Sequence, residues 1–411
     1  MKNSIYSSKI LANLPDEVLK IFAIFGENIR LVGGSVRDLI LEKEINDYDF
    51  ACKFLPDEIE RILNINNIKS VPTGLKYGTI TAVLNNKNFQ ITTLRKDENQ
   101  QGRACDVNFV EDFFEDAKRR DFTINALYLD YQGNIHDYFD GLNDLRNRKV
   151  RFILEPKIRI QEDYLRILRF FRFSCDYASD IDNEGLEACL HFKNFLANLS
   201  KERVRNEFLK LILSQNSSQL INILTIINQH KIDEILWHSG LDIEAFKQFI
   251  TLEKFIEKND LKIIKIAVIF LNLNFDLKKF NKNFCLMKIE KKILQNFYNL
   301  LQNYNLKTFD KIEINQIFVE FSQNFVFNFY IFFYCKNFKK ISQNHLENII
   351  NYIKNLQIKN FLFNVNDLEK INCPKSKLSL ILKTLKIKWA QSNFELSKNQ
   401  LLIEAKKLIE Y

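Results

Sequence analysis

Asp47 and Asp49 stand two positions apart in a segment where Tyr48 and Phe50 supply the alternating apolar residues. On a strand, side chains at i and i+2 leave the same face, with Cα atoms roughly 6.5–7 Å apart. Two carboxylates so placed suit Mg²⁺, which takes few protein oxygens and completes its shell with phosphate oxygens and water. A pair of such ions activates an attacking hydroxyl and steadies a leaving pyrophosphate. Just upstream, Gly33 and Gly34 follow the apolar pair Leu31-Val32 and open Ser35–Leu41, which reads as a short helix. Glycine allows the backbone to turn and to approach a ligand closely. The free N–H groups at the helix start suit phosphate oxygens, and Arg37, one turn in, offers them a guanidinium fork. A lone D-x-D pair is usually a solvated strand end, and a lone Gly-Gly turn says less. In this order and spacing they describe a nucleoside triphosphate site with metal carboxylates beside it.

Two further segments carry charge at useful spacing. Arg119-Arg120-Asp121 precedes an apolar stretch ending at Leu129. Asp121 is expected to cap the adjoining turn, with Thr123 and Asn125 satisfying nearby backbone. Glu162–Cys175 (EDYLRILRFFRFSC) reads as one helix, with Leu165, Leu168, Phe171 and Phe173 on an apolar side. Asp163, Arg166 and Arg169 recur every third residue, nearly on one face, and Arg172 continues the stripe. An exposed salt-bridged face would show the same pattern. The functional reading has its own logic. Cytosine and adenine each present an exocyclic amine beside a ring nitrogen acceptor. A carboxylate such as Asp163 can accept from such an amine, and a guanidinium such as Arg166 can donate to the ring nitrogen. Uracil and guanine reverse both groups, so the same pair would face them unsatisfied, which discriminates strongly.

Taken in order, GGSVRD (Gly33–Asp38), DYD (Asp47–Asp49), RRDFTINAL (Arg119–Leu127) and EDYLR (Glu162–Arg166) resemble the class II tRNA nucleotidyltransferases, the CCA-adding enzymes. Bacterial poly(A) polymerases share the same head. The resemblance implies an α+β head, polymerase-β-like with a mixed sheet, followed by an all-α neck, body and tail. It implies Mg²⁺ on Asp47 and Asp49, and a nucleotide held by Gly33, Gly34, Arg37 and Arg120. Asp163 and Arg166 would read the base, while Arg169 and Arg172 would hold the triphosphate or stack near the base. The implied reaction is template-independent addition of C and A to the 3′ end of tRNA from CTP and ATP, with release of pyrophosphate. A poly(A) polymerase, or an enzyme adding only CC or only A, would share this chemistry. A non-catalytic RNA-binding protein on a retired head is the rival from another class, and intact Asp47 and Asp49 oppose it. Many relatives carry an acidic residue on the strand where this chain has Gln90, so no third metal carboxylate is assigned; Glu98 and Asp106 are nearby acidic alternatives. Arg95–Val107 is polar, contains Gly102 and reads as a mobile loop. It resembles the flexible lever of the CCA-adding enzymes, which CC-only enzymes typically shorten.

Such a site needs a scaffold, and 411 residues suggest two or more domains. Eight of the ten glycines lie within residues 1–141, and only Pro156 and Pro374 interrupt the remainder of the chain. A mixed head is therefore expected over 1–141, a helical neck over 142–210 and a helical body and tail over 211–411. In the head, helices are expected at Leu14–Phe25, Ser35–Leu41 and Pro56–Leu63. Strands are expected at Ile29–Val32 and Asp47–Cys52, and a hairpin at Gly78–Leu84 and Asn88–Leu94.

Residues 1–150 hold 20 Lys and Arg against 23 Asp and Glu; the remainder holds 39 against 28. The basic excess thus lies in the helical part, which suits a polyanion, here the acceptor arm of tRNA. No apolar run reaches a membrane span, and Phe325–Cys335 reads as a buried helix. The N-terminus lacks a secretory pattern. Seven scattered cysteines without a C-x-x-C pair point to a reducing cytoplasm. No obligate protein partner is evident.

Overall fold

The computed structural model describes residues 10–45, 47–101, 104–272, 275–303 and 310–410. Nine strands occupy the N-terminal part: β1 (Ile29–Val32), β2 (Tyr48–Cys52), β3 (Lys69–Gly74), β4 (Thr79–Leu84), β5 (Lys87–Thr93), β6 (Arg95–Gln101), β7 (Ala104–Phe109), β8 (Leu127–Leu129) and β9 (Ile135–Asp137). Seven of them form one sheet in the order β3-β4-β5-β2-β1-β8-β9. Only β2 and β5 pair parallel; every other neighbour is antiparallel. This is the mixed sheet of an α+β head. β1 and β2 lie near its middle, so the segment Leu31–Phe50 is anchored on a buried pair of strands.

Local chemistry explains most boundaries. The helix α1 (Asp16–Phe25) begins after Pro15 and stops at Gly26, whose φ is +57°. Its Phe22 meets Phe50 of β2 edge-on, ring centroids 5.7 Å apart. The β4–β5 hairpin turns through Asn85 and Asn86, both at positive φ (49° and 62°), the conformation a two-residue hairpin loop needs. The turn is one residue shorter than expected because Lys87 pairs with Leu84. Strand β3 was not legible. It carries Pro72 at the sheet edge, where a missing donor is tolerated, and buries no side chain fully.

Two expectations are corrected. Arg95–Val107 is not a loop: β6 and β7 pair as a two-stranded antiparallel ribbon. Backbone groups pair whatever the side chains are, and β6, whose sequence is RKDENQQ, offers no apolar alternation to read. Gly102, and the side chains of Glu98 and Asp106, lie outside the described residues. Second, Glu162–Cys175 is not one helix. The helices α2 (Gly34–Ile40), α3 (Pro56–Ile65), α4 (Phe113–Lys118) and α5 (Gly141–Arg146) are followed by α6 (Pro156–Glu162) and α7 (Leu165–Tyr177), with a break at Asp163. Asp163 is extended (φ −153°, ψ 106°), and its Oδ1 accepts from Leu165 N at 3.1 Å. Aspartate competes with the helix for its own backbone donors and so marks a helix start rather than an interior.

Helix α5 touches the head closely. A Cβ on Gly141 would sit 2.3 Å from the carbonyl oxygen of Thr123. Backbone cannot retreat as a side chain can, so Gly141→Ala should cost on the order of 3 kcal/mol. Chemical denaturation of the two proteins measures this, and an unchanged midpoint would refute it.

Two further helices, α8 (Asn183–Phe192) and α9 (Lys201–Ile212), pack with α6 and α7. The chain divides into two compact units, one ending at Leu236 and one beginning at Trp237. Among the described residues the second unit has helices and no strand. Its helix Gln323–Asn337 buries every residue from Val326 to Cys335, and Asn328 within it donates to Asp260 Oδ2 at 2.7 Å. Among the described residues no helix is long and apolar enough to cross a membrane.

Candidate active site

Every residue read from the sequence as a nucleotide or metal ligand borders one cavity of about 600 Å³ in the first unit. Its wall is made by the Gly33-Gly34 turn, the start of β2, the segment Arg119–Asp121, and the residues Asp163, Arg166, Arg169 and Arg172.

Gly33 takes φ +72°, and a Cβ there would stand 3.1 Å from Arg120 Nη1. The glycine is therefore needed both for the turn and for the arginine beside it. Ser35 ties the turn to the carboxylates. Its hydroxyl donates to Asp47 O at 2.9 Å and accepts from Asp49 N at 3.1 Å. Tyr48 packs on Phe89 with ring centroids 5.9 Å apart, so β2 presents its aromatic residue to one side and its two carboxylates to the cavity. Burial raises the Asp49 carboxyl above its ordinary range; Arg120 opposes this and Asp47 adds to it. Gln90 stands in register with Asp49 across the parallel pair. Among the described residues no group of three His, Cys, Asp or Glu converges for a metal. The donors present are two oxygen-bearing side chains, crowded in charge and short of a full shell. That set fits a hard divalent cation that arrives with phosphate oxygens.

The arginines are not equally available. Arg120 donates Nε to Tyr128 Oη (3.0 Å) and Nη2 to Asp116 Oδ2 (3.2 Å), leaving Nη1 toward the glycine turn. Asp116 is almost fully buried. Burial works against its charge, but Arg119, Arg120 and the Tyr128 hydroxyl outweigh it and hold the carboxyl far below its ordinary range. Arg37 differs from expectation. Its Nε and Nη2 both close on Asp38 at 2.9 Å, and Nη1 goes to Asn125 Oδ1 at 2.5 Å. The fork read for phosphate is thus turned onto protein acceptors, because a guanidinium this buried must have its donors met.

Arg169 and Arg172 are likewise engaged. Arg169 donates Nε to Asp121 Oδ2 at 2.7 Å, and Arg172 pairs with Glu207 at 2.9 Å while lying 4.2 Å over Phe173. Asp121 Oδ1 accepts from Phe122 N and Asn125 Nδ2. Thr123 donates to Asp144 instead of to nearby backbone, at 2.6 Å. Phe122 fastens this segment to α7, 5.3 Å from Phe173 and 6.3 Å from Phe170.

Asp163 and Arg166 meet at the helix break rather than along one helical face. Asp163 Oδ2 accepts from Arg203 at 2.6 Å. Arg166 donates Nη1 to Glu162 Oε2 (2.5 Å) and to Arg159 O (2.8 Å), and Nη2 to Arg119 O (3.0 Å).

Sequence reasoning missed Ser35, Asp116, Arg203 and Glu207. Ser35 carried a weak signal as a hydroxyl at a helix start. Arg203 and Glu207 share one face of α9 four residues apart, but nothing local says what they face. His136 and Asp137 lie outside the cavity: His136 Nε2 pairs with Asp130 within the β8–β9 hairpin at 2.8 Å.

The family model described as the Poly A polymerase head domain matches residues 29–151, and that for a probable RNA and SrmB-binding site of polymerase A matches residues 180–225. The mitochondrial CCA tRNA nucleotidyltransferase 1 of Mus musculus is 31% identical over 398 residues, covering 94% of this chain and 88% of that protein. The CCA-adding enzyme of Lactobacillus johnsonii is 38% identical over 219 residues, 51% of this chain and 54% of that enzyme. The crystal structure of the Bacillus stearothermophilus CCA-adding enzyme in complex with CTP is similar in fold, with TM-score 0.72 at 22% identity, covering 96% of this chain and 97% of that one.

Proposed function

The chain belongs to the CCA-adding tRNA nucleotidyltransferase family, and from that membership we propose how its own residues carry out the addition. The enzyme adds CCA to the 3′ end of tRNA, and in our reading it takes CTP and ATP, releases pyrophosphate and uses no nucleic-acid template. One observation carries our reading of the site. The carboxylate pair, the glycine turn, Arg120, Asp163 and Arg166 all border the same cavity.

The triphosphate lies against Gly33 and Gly34, where the missing side chains permit close approach, and Arg120 Nη1 donates to it. Arg37, held by Asp38 and Asn125, contributes fixed positive charge beside the turn rather than a free fork. Enzymes of this family need a divalent metal; Mg²⁺ suits the donors, which would be Asp47 and Asp49. When bound, the cation supplies activation of the 3′-hydroxyl and neutralisation of phosphate charge. Ser35 keeps the backbone of the two aspartates in register with the turn.

The base is read at the helix break. Each carboxylate oxygen of Asp163 has one protein donor and keeps a second lone pair for an amine. Arg166 has five N–H groups, of which three are engaged. Those remaining can donate to the ring nitrogen of cytosine or adenine. Arg169 and Arg172, fixed by Asp121 and Glu207, hold α7 in place beside the base and add positive charge to the cleft.

We read residues 1–141 as the catalytic head, 142–210 as the neck and 211–411 as the RNA-binding body and tail. The seven scattered cysteines, without a C-x-x-C pair, suit a reducing cytoplasm. Affinity for tRNA should fall by about 10³-fold between roughly 50 and 200 mM salt. Lysine-to-glutamine changes beyond residue 150 should flatten that slope, whereas changes before it should not. Equal flattening from both regions would separate the charge excess from RNA binding.

The decisive assay supplies tRNAs ending before, within and after CCA with each labelled nucleotide, followed by sequencing of the products. Completion to CCA and no further is expected. Runs of A would instead make the protein a poly(A) polymerase, and a halt after CC or a need for preformed CC would make it a partial enzyme.

A further inference from the structure

Tyr177, the last residue of α7, gathers three residues of the segment that joins the glycine turn to the carboxylates. Its hydroxyl donates to Asp38 Oδ1 at 3.0 Å. The Arg37 guanidinium lies 4.1 Å from its ring centroid and the Lys43 ammonium 4.4 Å. Phe173, one helical turn earlier, stacks against the tyrosine at 5.8 Å and stands 5.3 Å from the same guanidinium.

The arrangement answers a geometric problem. Consecutive residues on a helix point in different directions and do not face each other. Arg37 and Asp38 nevertheless close a two-point fork, both bonds 2.9 Å. Asn125 holds one end of the guanidinium, and the edge and face of Tyr177 supply a surface against both members of the pair. Burial raises the tyrosine's pKa, opposed by Arg37 and reinforced by Asp38, so the hydroxyl remains a donor at neutral pH. Tyr177 does not itself border the nucleotide cleft. It lines a separate cavity of about 470 Å³ with Lys43, Asp176 and Lys210, whereas Arg37 and Asp38 border the cleft. Its effect on a nucleotide must therefore pass through its neighbours.

We propose that Tyr177 is a positioning residue for nucleotide addition, clamping Arg37, Asp38 and Lys43 onto α7. The clamp fixes where the phosphate turn and the carboxylate strand stand relative to Arg166 at the other end of the same helix and Asp163 in the break just before it. This rests on the assignment of the cleft given above. Because the clamp acts on the phosphate side, it serves CTP and ATP alike and leaves base discrimination alone.

The test is a double-mutant cycle read on CTP and ATP binding to the full chain by equilibrium dialysis with Mg²⁺, which needs no turnover. Tyr177→Phe keeps the ring and loses the bond to Asp38; both nucleotides should bind about fivefold more weakly. Tyr177→Leu also loses the stacking surface and should weaken both about twentyfold. Combined with Asp38→Asn, Tyr177→Phe should add less than about twofold, because the two groups act as one unit. The KM for tRNA should not move. Unchanged affinity in Tyr177→Leu, unequal effects on CTP and ATP, or full additivity with Asp38→Asn would each overturn the proposal. A wild-type protein that binds both nucleotides yet extends no tRNA would refute the functional assignment instead, and the cycle would still report on the clamp.

Discussion

Replacing either Asp47 or Asp49 by alanine should reduce nucleotide addition by about 10³-fold or more, several kcal/mol of barrier, while tRNA affinity stays within a few-fold. Both side chains border the cleft at the start of β2, and Ser35 holds their backbone on each side. No third carboxylate converges with them among the described residues, and Gln90 stands where one would pair with Asp49. Neither aspartate therefore has an evident substitute. The basic excess lies beyond residue 150, where we place RNA binding, so binding should survive the loss of either. Single-turnover extension and a filter-binding titration measure the two quantities separately. Activity near wild type in either variant would remove the pair from the site.

The second large effect concerns base choice. Asp163→Ala should lose discrimination against UTP and GTP more than it loses affinity for triphosphate. Removing the carboxylate deletes one attractive contact to the amine of C and A, and one repulsive contact to the carbonyl of U and G, so specificity falls from both sides. Each contact is worth on the order of 1–3 kcal/mol in a buried site. The structure adds a complication that the sequence did not show. Asp163 also caps α7 through Leu165 N and neutralises Arg203. Asp163→Asn separates these roles: it can still accept from Leu165 N through its carbonyl oxygen, but it loses the negative charge. Discrimination should fall in both variants, with the larger loss of stability in alanine. The readout is incorporation of all four nucleotides on tRNA lacking its CCA end. Equal slowing of all four in both variants would make Asp163 a structural cap and end its role as a reader of bases.

Much of the site was legible because its first half is local. The glycine turn, the short helix and the D-x-D strand lie within Leu31–Phe50, and each comes from short-range rules: backbone freedom at glycine, alternation on a strand, apolar residues feeding a central sheet. The regular elements of the head were readable for the same reason. Where side-chain chemistry carried no periodic signal, reading failed. The strand β6 (RKDENQQ) carries no apolar alternation, and the edge strand β3 carries Pro72. The break at Asp163 was hidden because the segment around it has a helix-like spacing, while one side chain's preference for capping decided the outcome.

The sequence alone thus determined which residue types stand at the glycine turn, the D-x-D strand and the segment Glu162–Arg172, since these rest on steric and periodic rules acting over a few residues. Only the tertiary structure decided what each charged group does. Arg37 is closed on Asp38 and Asn125, Arg120 on Asp116 and Tyr128, Arg169 on Asp121, and Arg172 on Glu207. A guanidinium takes whichever acceptor the fold brings within about 3 Å. For Arg203 and Asp163 that partner is 40 residues away, and for Tyr177 and Asp38 it is 139. Removing a charge from water is costly unless it finds such a partner. Burial therefore leaves some arginines of the cleft closed on protein acceptors and others, Arg120 and Arg166, with donors still to give.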